Sequence, residues 1–118
     1  MTDLTSESSA SELDAVFQAL SDSRRRDMVA RLSRDPMSVK DLAEPLGMRL
    51  PSAVKHLAVL EFSGLVVSDK AGRVRTYRMK TEAFARVRQW IEQREIEVSA
   101  AFDRLEQAIA DFPEDFDA

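Results

Sequence analysis

The sequence predicts a mostly α-helical fold with one small β-hairpin, in the order α-α-α-α-β-β-α. Three observations carry this. Apolar residues recur at helical spacing through four segments before Ser63. Two short runs rich in β-branched residues, Leu65 to Ser68 and Val74 to Met79, flank a Lys70-Ala71-Gly72 turn. From Thr81 to about Phe112 there is neither Gly nor Pro, and Phe84, Ile91, Val98, Leu105 and Phe112 recur every seven residues.

The elements follow in order. Residues 1–11, rich in Ser, Thr and acidic side chains, read as a flexible tail. Ser11 and Asp14 have capping-box spacing, and the helix after them places Leu13, Val16, Phe17 and Leu20 on one face. Asp22 caps a second helix to about Ser33, burying Met28, Val29 and Leu32. Asp35-Pro36 breaks it. Ser38 and Asp41 start a short third helix burying Val39, Leu42 and Ala43, and Pro45 and Gly47 punctuate a tight turn. A fourth helix runs from about Leu50 to Phe62 and buries Ala53, Leu57 and Leu60, with Pro51 in its first turn where a missing N–H does no harm. Ser63-Gly64 ends it. The hairpin carries Lys70, Arg73, Arg75 and Arg78. The last helix, residues 81–112, would be roughly 45 Å long if unbroken. Pro113 stops it, and residues 113–118 form an acidic tail. Residues 12–80 thus form one domain, and 81–112 a helix too long to bury on it.

Composition narrows the chemistry. The chain has no cysteine and one histidine, His56, so disulfides, thiolate metal sites and cysteine nucleophiles are absent. Net charge is −4, yet Leu20 to Lys80 hold 13 Lys and Arg against 7 Asp and Glu, while the flanks hold 4 against 14. A basic middle between acidic ends can make a local positive face, which is what governs phosphate binding; the equal alternative from charge alone is a set of solvated surface charges. No apolar run reaches bilayer length and no signal-peptide pattern opens the chain, so no membrane is expected and a cytoplasmic location is. There is no Ser-His-Asp arrangement, no phosphate-binding Gly loop and no metal-ligand cluster, so the chain does not read as an enzyme, and neither a cofactor nor a metal is expected.

The third and fourth helices have helix-turn-helix proportions, and a basic hairpin directly after them has the position of a wing. The residues themselves resemble a family. Phe17-Gln18-Ala19-Leu20-Ser21-Asp22-Ser23-Arg24-Arg25-Arg26 is similar to the opening signature of the ArsR family of winged-helix repressors. Val39-Lys40-Asp41-Leu42-Ala43 with Leu46-Gly47-Met48 resembles its first helix-turn-helix segment. Pro51-Ser52-Ala53-Val54-Lys55-His56-Leu57-Ala58-Val59-Leu60 resembles its recognition helix. Ser63-Gly64-Leu65-Val66 and Gly72-Arg73-Val74-Arg75-Thr76-Tyr77-Arg78-Met79 resemble its wing.

The resemblance implies a homodimer built from the first and last helices, with Leu13, Phe17, Phe84, Ile91, Val98, Phe102 and Leu105 as interface residues. It implies repression from a promoter and a bacterial protein, nucleoid-associated when bound. The expected partner is duplex DNA carrying an imperfect palindromic operator. A small-molecule inducer of unspecified chemistry stays open. Metal-sensing members carry a cysteine pair just before the Asp-Leu matching Asp41-Leu42; here those positions are Ser38 and Lys40, and the last helix has no histidine. The chain therefore resembles the branch without metal boxes.

The DNA-binding candidates are Arg49, Pro51, Ser52, Lys55, His56, Arg73 and Arg75. Arg49 replaces the Ser or Thr that caps the recognition helix in relatives. Ser52, Lys55, His56 and Val59 oppose the buried face, and the Val54 methyls suit either a thymine methyl or packing within the protein. For His56, DNA contact or a local hydrogen bond is favoured over metal or acid–base chemistry, since no ligand or nucleophile lies beside it. Arg24, Arg25 and Arg26 can reach DNA or pair with Asp22, Asp27 or a partner subunit. The rival function is a protein-interaction module without DNA binding, which has no need of basic residues clustered on the recognition helix and wing.

Overall fold

In the computed structural model, which describes residues 4–112 with side chains from residue 10, local signals start and stop most elements. The first helix, α1 (Leu4–Leu20), does not wait for Ser11. The tail expected over residues 1–11 is helical from Leu4, and the Ser11 capping box does not form. No Gly or Pro interrupts residues 4–20, and extending a helix costs little once it is nucleated. Residues 1–3 and the acidic tail at 113–118 lie outside the described range.

The second helix, α2 (Ser23–Leu32), is capped as expected: Asp22 Oδ1 accepts from the N–H groups of Arg24 and Arg25 at 2.8 and 3.2 Å. Ser38 caps α3 (Val39–Ala43) by accepting from the Asp41 N–H at 3.2 Å. A single 3-10 turn (Glu44–Leu46) follows, and Gly47 ends it at φ +65°, a left-handed conformation that suits glycine. The fourth helix, α4 (Leu50–Phe62), has the expected bounds.

The sheet differs from the expected hairpin in two ways. It has three strands, because β1 (Met37–Ser38) pairs antiparallel with β3 (Val74–Met79), Met37 opposite Tyr77. Extended backbone after Pro36 supplies partners for N–H and C=O groups that β3 would otherwise expose along Thr76 and Tyr77. The other neighbour of β3 is β2 (Val66–Ala71), giving the order β1-β3-β2. Second, β2 runs through Lys70 and Ala71, so the turn shifts to Gly72 and Arg73. Gly72 has φ +63° and Arg73 a negative φ, the arrangement of a two-residue turn that matches strand twist.

The described residues divide into two compact units between Arg86 and Val87. In the first, Val16 and Ala19 of α1, Met28 and Leu32 of α2, Leu42 of α3, Leu57 and Leu60 of α4, Leu65 and Val66 form the core. Full burial of one such Leu contributes about 2 kcal/mol. The first turn of α5 (Glu82–Asp111) belongs to this unit: Ala83 is buried and Arg86 pairs with Glu12 of α1 at 3.0 Å. The second unit is the rest of α5, one unbroken helix. None of its described residues is buried.

Candidate nucleic-acid interface

The helix-turn-helix is built by α3 and α4, which pack on each other and on α2. Ala53, Leu57 and Leu60 anchor α4 at spacings of four and three, so its other side is turned outward by periodicity alone. Ser52 and Lys55 are exposed on that side, three residues apart and therefore neighbours. Pro51 sits in the first turn and is also exposed. Val54 is 49% exposed and Leu50 47%, one turn before it. The spacing of Leu50 and Val54 is the signal that sequence reasoning passed over for Leu50.

Arg49 occupies the N-cap of α4 in extended conformation and supplies no side-chain cap. The start of α4 therefore lacks a side-chain acceptor, and its N-cap residue is a cation. Such a terminus suits an anion.

His56 and Val59 on this face are less open than Ser52 and Lys55, and His56 has a polar partner. It is half-buried, and its Nδ1 lies 3.3 Å from Nη1 of Arg25. Arg25 itself is held on three other sides. Its Nε donates to the Ala19 carbonyl at 2.7 Å, its Nη2 to the Gln18 carbonyl at 3.0 Å, and Nη1 is 3.9 Å from Asp22. Arg26 donates to the Leu20 carbonyl at 2.8 Å. Two of the three clustered arginines thus satisfy the carbonyls that end α1 and complement its dipole, since α1 has no basic residue in its own last turn. The Asp22 carboxyl is held below the ordinary carboxylate value, chiefly by the Arg25 N–H and further by the Arg24 N–H and by Arg25's charge.

The wing carries its cations in two settings. Arg78 pairs with Asp69 across the strands at 3.1 Å. Arg75 donates to Ser68 Oγ at 2.9 Å, and that hydroxyl donates to Glu61 Oε2 at 3.3 Å, which ties the wing to the last turn of α4. Arg73 stands exposed at the turn itself. Both wing candidates are therefore on the surface, with Arg73 outermost along the hairpin.

Among the described residues, no three His, Cys, Asp or Glu side chains converge as metal ligands. Among the same residues, no helix is long and apolar enough to cross a membrane. The expected interface residues on α1 and α5 fall into two groups: Leu13 and Phe84 are half-buried, while Phe17, Ile91, Val98, Phe102 and Leu105 are exposed.

Comparison with known proteins agrees with this geometry. A family model described as a helix-turn-helix domain matches residues 20–69. The chain is 37% identical over 75 residues to the HTH-type transcriptional regulator Rv2034 of Mycobacterium tuberculosis, covering 64% of this chain and 70% of that protein. A crystal structure of an ArsR family transcriptional regulator aligns with 45% identity and a TM-score of 0.69, over 76% of this chain and 94% of that one. The homodimeric winged helix-turn-helix DNA-binding domain of a Mycobacterium bovis protein aligns at 25% identity and a TM-score of 0.66, over 91% of this chain and 93% of that one. With its helices, wing and sequence shared to this extent, the chain belongs to the ArsR family of winged helix-turn-helix transcriptional regulators.

Proposed function

We propose that the protein is a homodimeric repressor that places α4 of each subunit in a major groove, with the wing alongside, and occupies a promoter. The observation that carries this is the outward side of α4: an uncapped N-terminus beside Arg49, then Pro51, Ser52 and Lys55 exposed. In a chain of net charge −4, cations gathered there and at Arg73 and Arg75 answer to phosphates. The exposed apolar side chains of α5, Ile91, Val98, Phe102 and Leu105, would meet a second copy, as would Leu13, Phe17 and Phe84. Two-fold symmetry then requires an imperfect palindrome with half-sites about one helical turn apart, or a multiple.

Fluorescence anisotropy tests this with DNA from upstream of the protein's own gene against a scrambled duplex, over a salt series. Preferential binding that weakens steeply with salt is expected. Lys55→Ala and Arg75→Ala should each weaken it and reduce the log–log salt slope by about 1 for every phosphate left without its cation. Binding that favours neither duplex moves the search to a random library. A folded dimer that binds no library member leaves the protein-interaction module in its place.

A further inference from the structure

The Arg25–His56 contact joins α2 to α4, and through the bonds of Arg25 to the Ala19 and Gln18 carbonyls it also ties α4 to the end of α1. Its chemistry is one-sided. A guanidinium has donors and no acceptor, so the imidazole nitrogen it faces must offer a lone pair. That leaves the single ring hydrogen of neutral His56 on Nε2, across the ring from Arg25. Among the described residues no group is bonded to Nε2, and it is not a buried atom. His56 lies one position after Lys55 and four after Ser52, within the stretch of α4 that would face the groove.

We propose that Arg25 is a positioning residue for DNA reading, which holds His56 in the tautomer that presents Nε2–H as a donor to an acceptor on the duplex. The acceptor is a purine N7, a guanine or thymine carbonyl oxygen, or a phosphate oxygen. The proposal deepens the DNA-binding reading and rests on it. Arg25 suits the task because its fork is already fixed: Nε and Nη2 are spent on the Ala19 and Gln18 carbonyls, so Nη1 has one place to be. Asp22, 3.9 Å from the same Nη1, steadies it. The orientation of a ring on α4 is thereby referenced to the C-terminus of α1.

The test is a double-mutant cycle on operator affinity at one salt concentration, with thermal unfolding measured beside it. His56→Ala should weaken binding about tenfold, the loss of one good hydrogen bond. Arg25→Met should weaken it to a similar degree, and Arg25→Met/His56→Ala no further than His56→Ala alone. A lower melting temperature for Arg25→Met is expected from the broken α1 carbonyl bonds and does not bear on the cycle. Additive losses, or native affinity in Arg25→Met, overturn the proposal. The native protein supplies a second readout that needs no variant. With one histidine in the chain, 15N-edited spectra of its side chain at mildly alkaline pH report a single ring. They should show hydrogen on Nε2 and none on Nδ1; hydrogen on Nδ1 overturns the proposal. Operators carrying 7-deazapurines or single methylphosphonates separate the sources of the acceptor. Dependence on His56 should vanish with one of these changes, and persistence through all of them overturns the assignment of a purine N7 or phosphate acceptor, leaving the carbonyl oxygens. If the native protein binds no duplex, the DNA reading falls and this inference with it. Salt-sensitive operator binding with an additive cycle removes the inference alone.

Discussion

The helices α4 and α5 are both amphipathic, and the structure treats their apolar sides in opposite ways. In α4, thirteen residues long, Ala53, Leu57 and Leu60 are fully buried against α1, α2, α3 and β2. In α5, thirty residues long, Ala83 is buried, while Val98 is 53%, Phe102 60% and Leu105 53% exposed. A recurring apolar stripe says that a helix will be covered, but not by what. For α4 the cover is its own chain. For α5 past Arg86 none of the described residues is buried, and a run of exposed large apolar side chains marks an association surface.

The largest effect expected from this contrast lies in α4. Leu57→Ala should cost about 2–5 kcal/mol of folding stability, because the surrounding helices cannot collapse fully into the space left. Denaturant unfolding measures it, and a cost near zero would mean that the α4 packing is not what holds the domain. Next comes α5. Phe102→Asp should leave the subunit's folding signature in circular dichroism intact but weaken the dimer about thirtyfold or more, as loss of a central aromatic anchor does. Sedimentation equilibrium reads this directly; an unchanged dimer would place the interface elsewhere.

Smaller effects sharpen the reading of α4 alone. Arg49→Ser should restore a cap, stabilise the domain by about 1 kcal/mol and weaken operator binding. Greater stability with unchanged affinity would remove the DNA role of Arg49. The smallest effect concerns Asp22. Its folded-state pKa is depressed, so its charge stabilises the fold above the ordinary carboxylate value, and this is lost as pH falls through the folded value. Native protein should therefore lose more stability than Asp22→Asn, which keeps a capping acceptor, between about pH 5 and about pH 3. Parallel acid profiles would show that the cap works without its charge.

What the sequence makes legible is local. Asp22 and Ser38 cap as expected because each meets N–H groups two or three residues on. The bounds of α4 follow from Pro51 at its start and Ser63-Gly64 at its end. Sequence and structure part where a local signal competes with something stronger or distant. Ser11 has cap chemistry, but breaker-free chain on both sides lets α1 run through it. The turn at Lys70-Ala71-Gly72 moved because only glycine adopts the positive φ the two-residue loop needs, and that puts Gly72 first in the turn. Pairing of Met37 with Tyr77 spans too much chain to show in any window.

The amino-acid sequence by itself determined the order of elements, the buried face of α4, the basic character of helix-turn-helix and wing, and the resemblance to the ArsR family. These rest on periodicity, capping and charge, which act over a few residues. Tertiary structure alone decided where the arginines go. Arg25 reaches a carbonyl six residues away and a histidine thirty-one residues away, so its partners exist only once α1, α2 and α4 have packed. A long, many-donor side chain takes its role from whichever acceptors the fold leaves unsatisfied, and helix ends supply them.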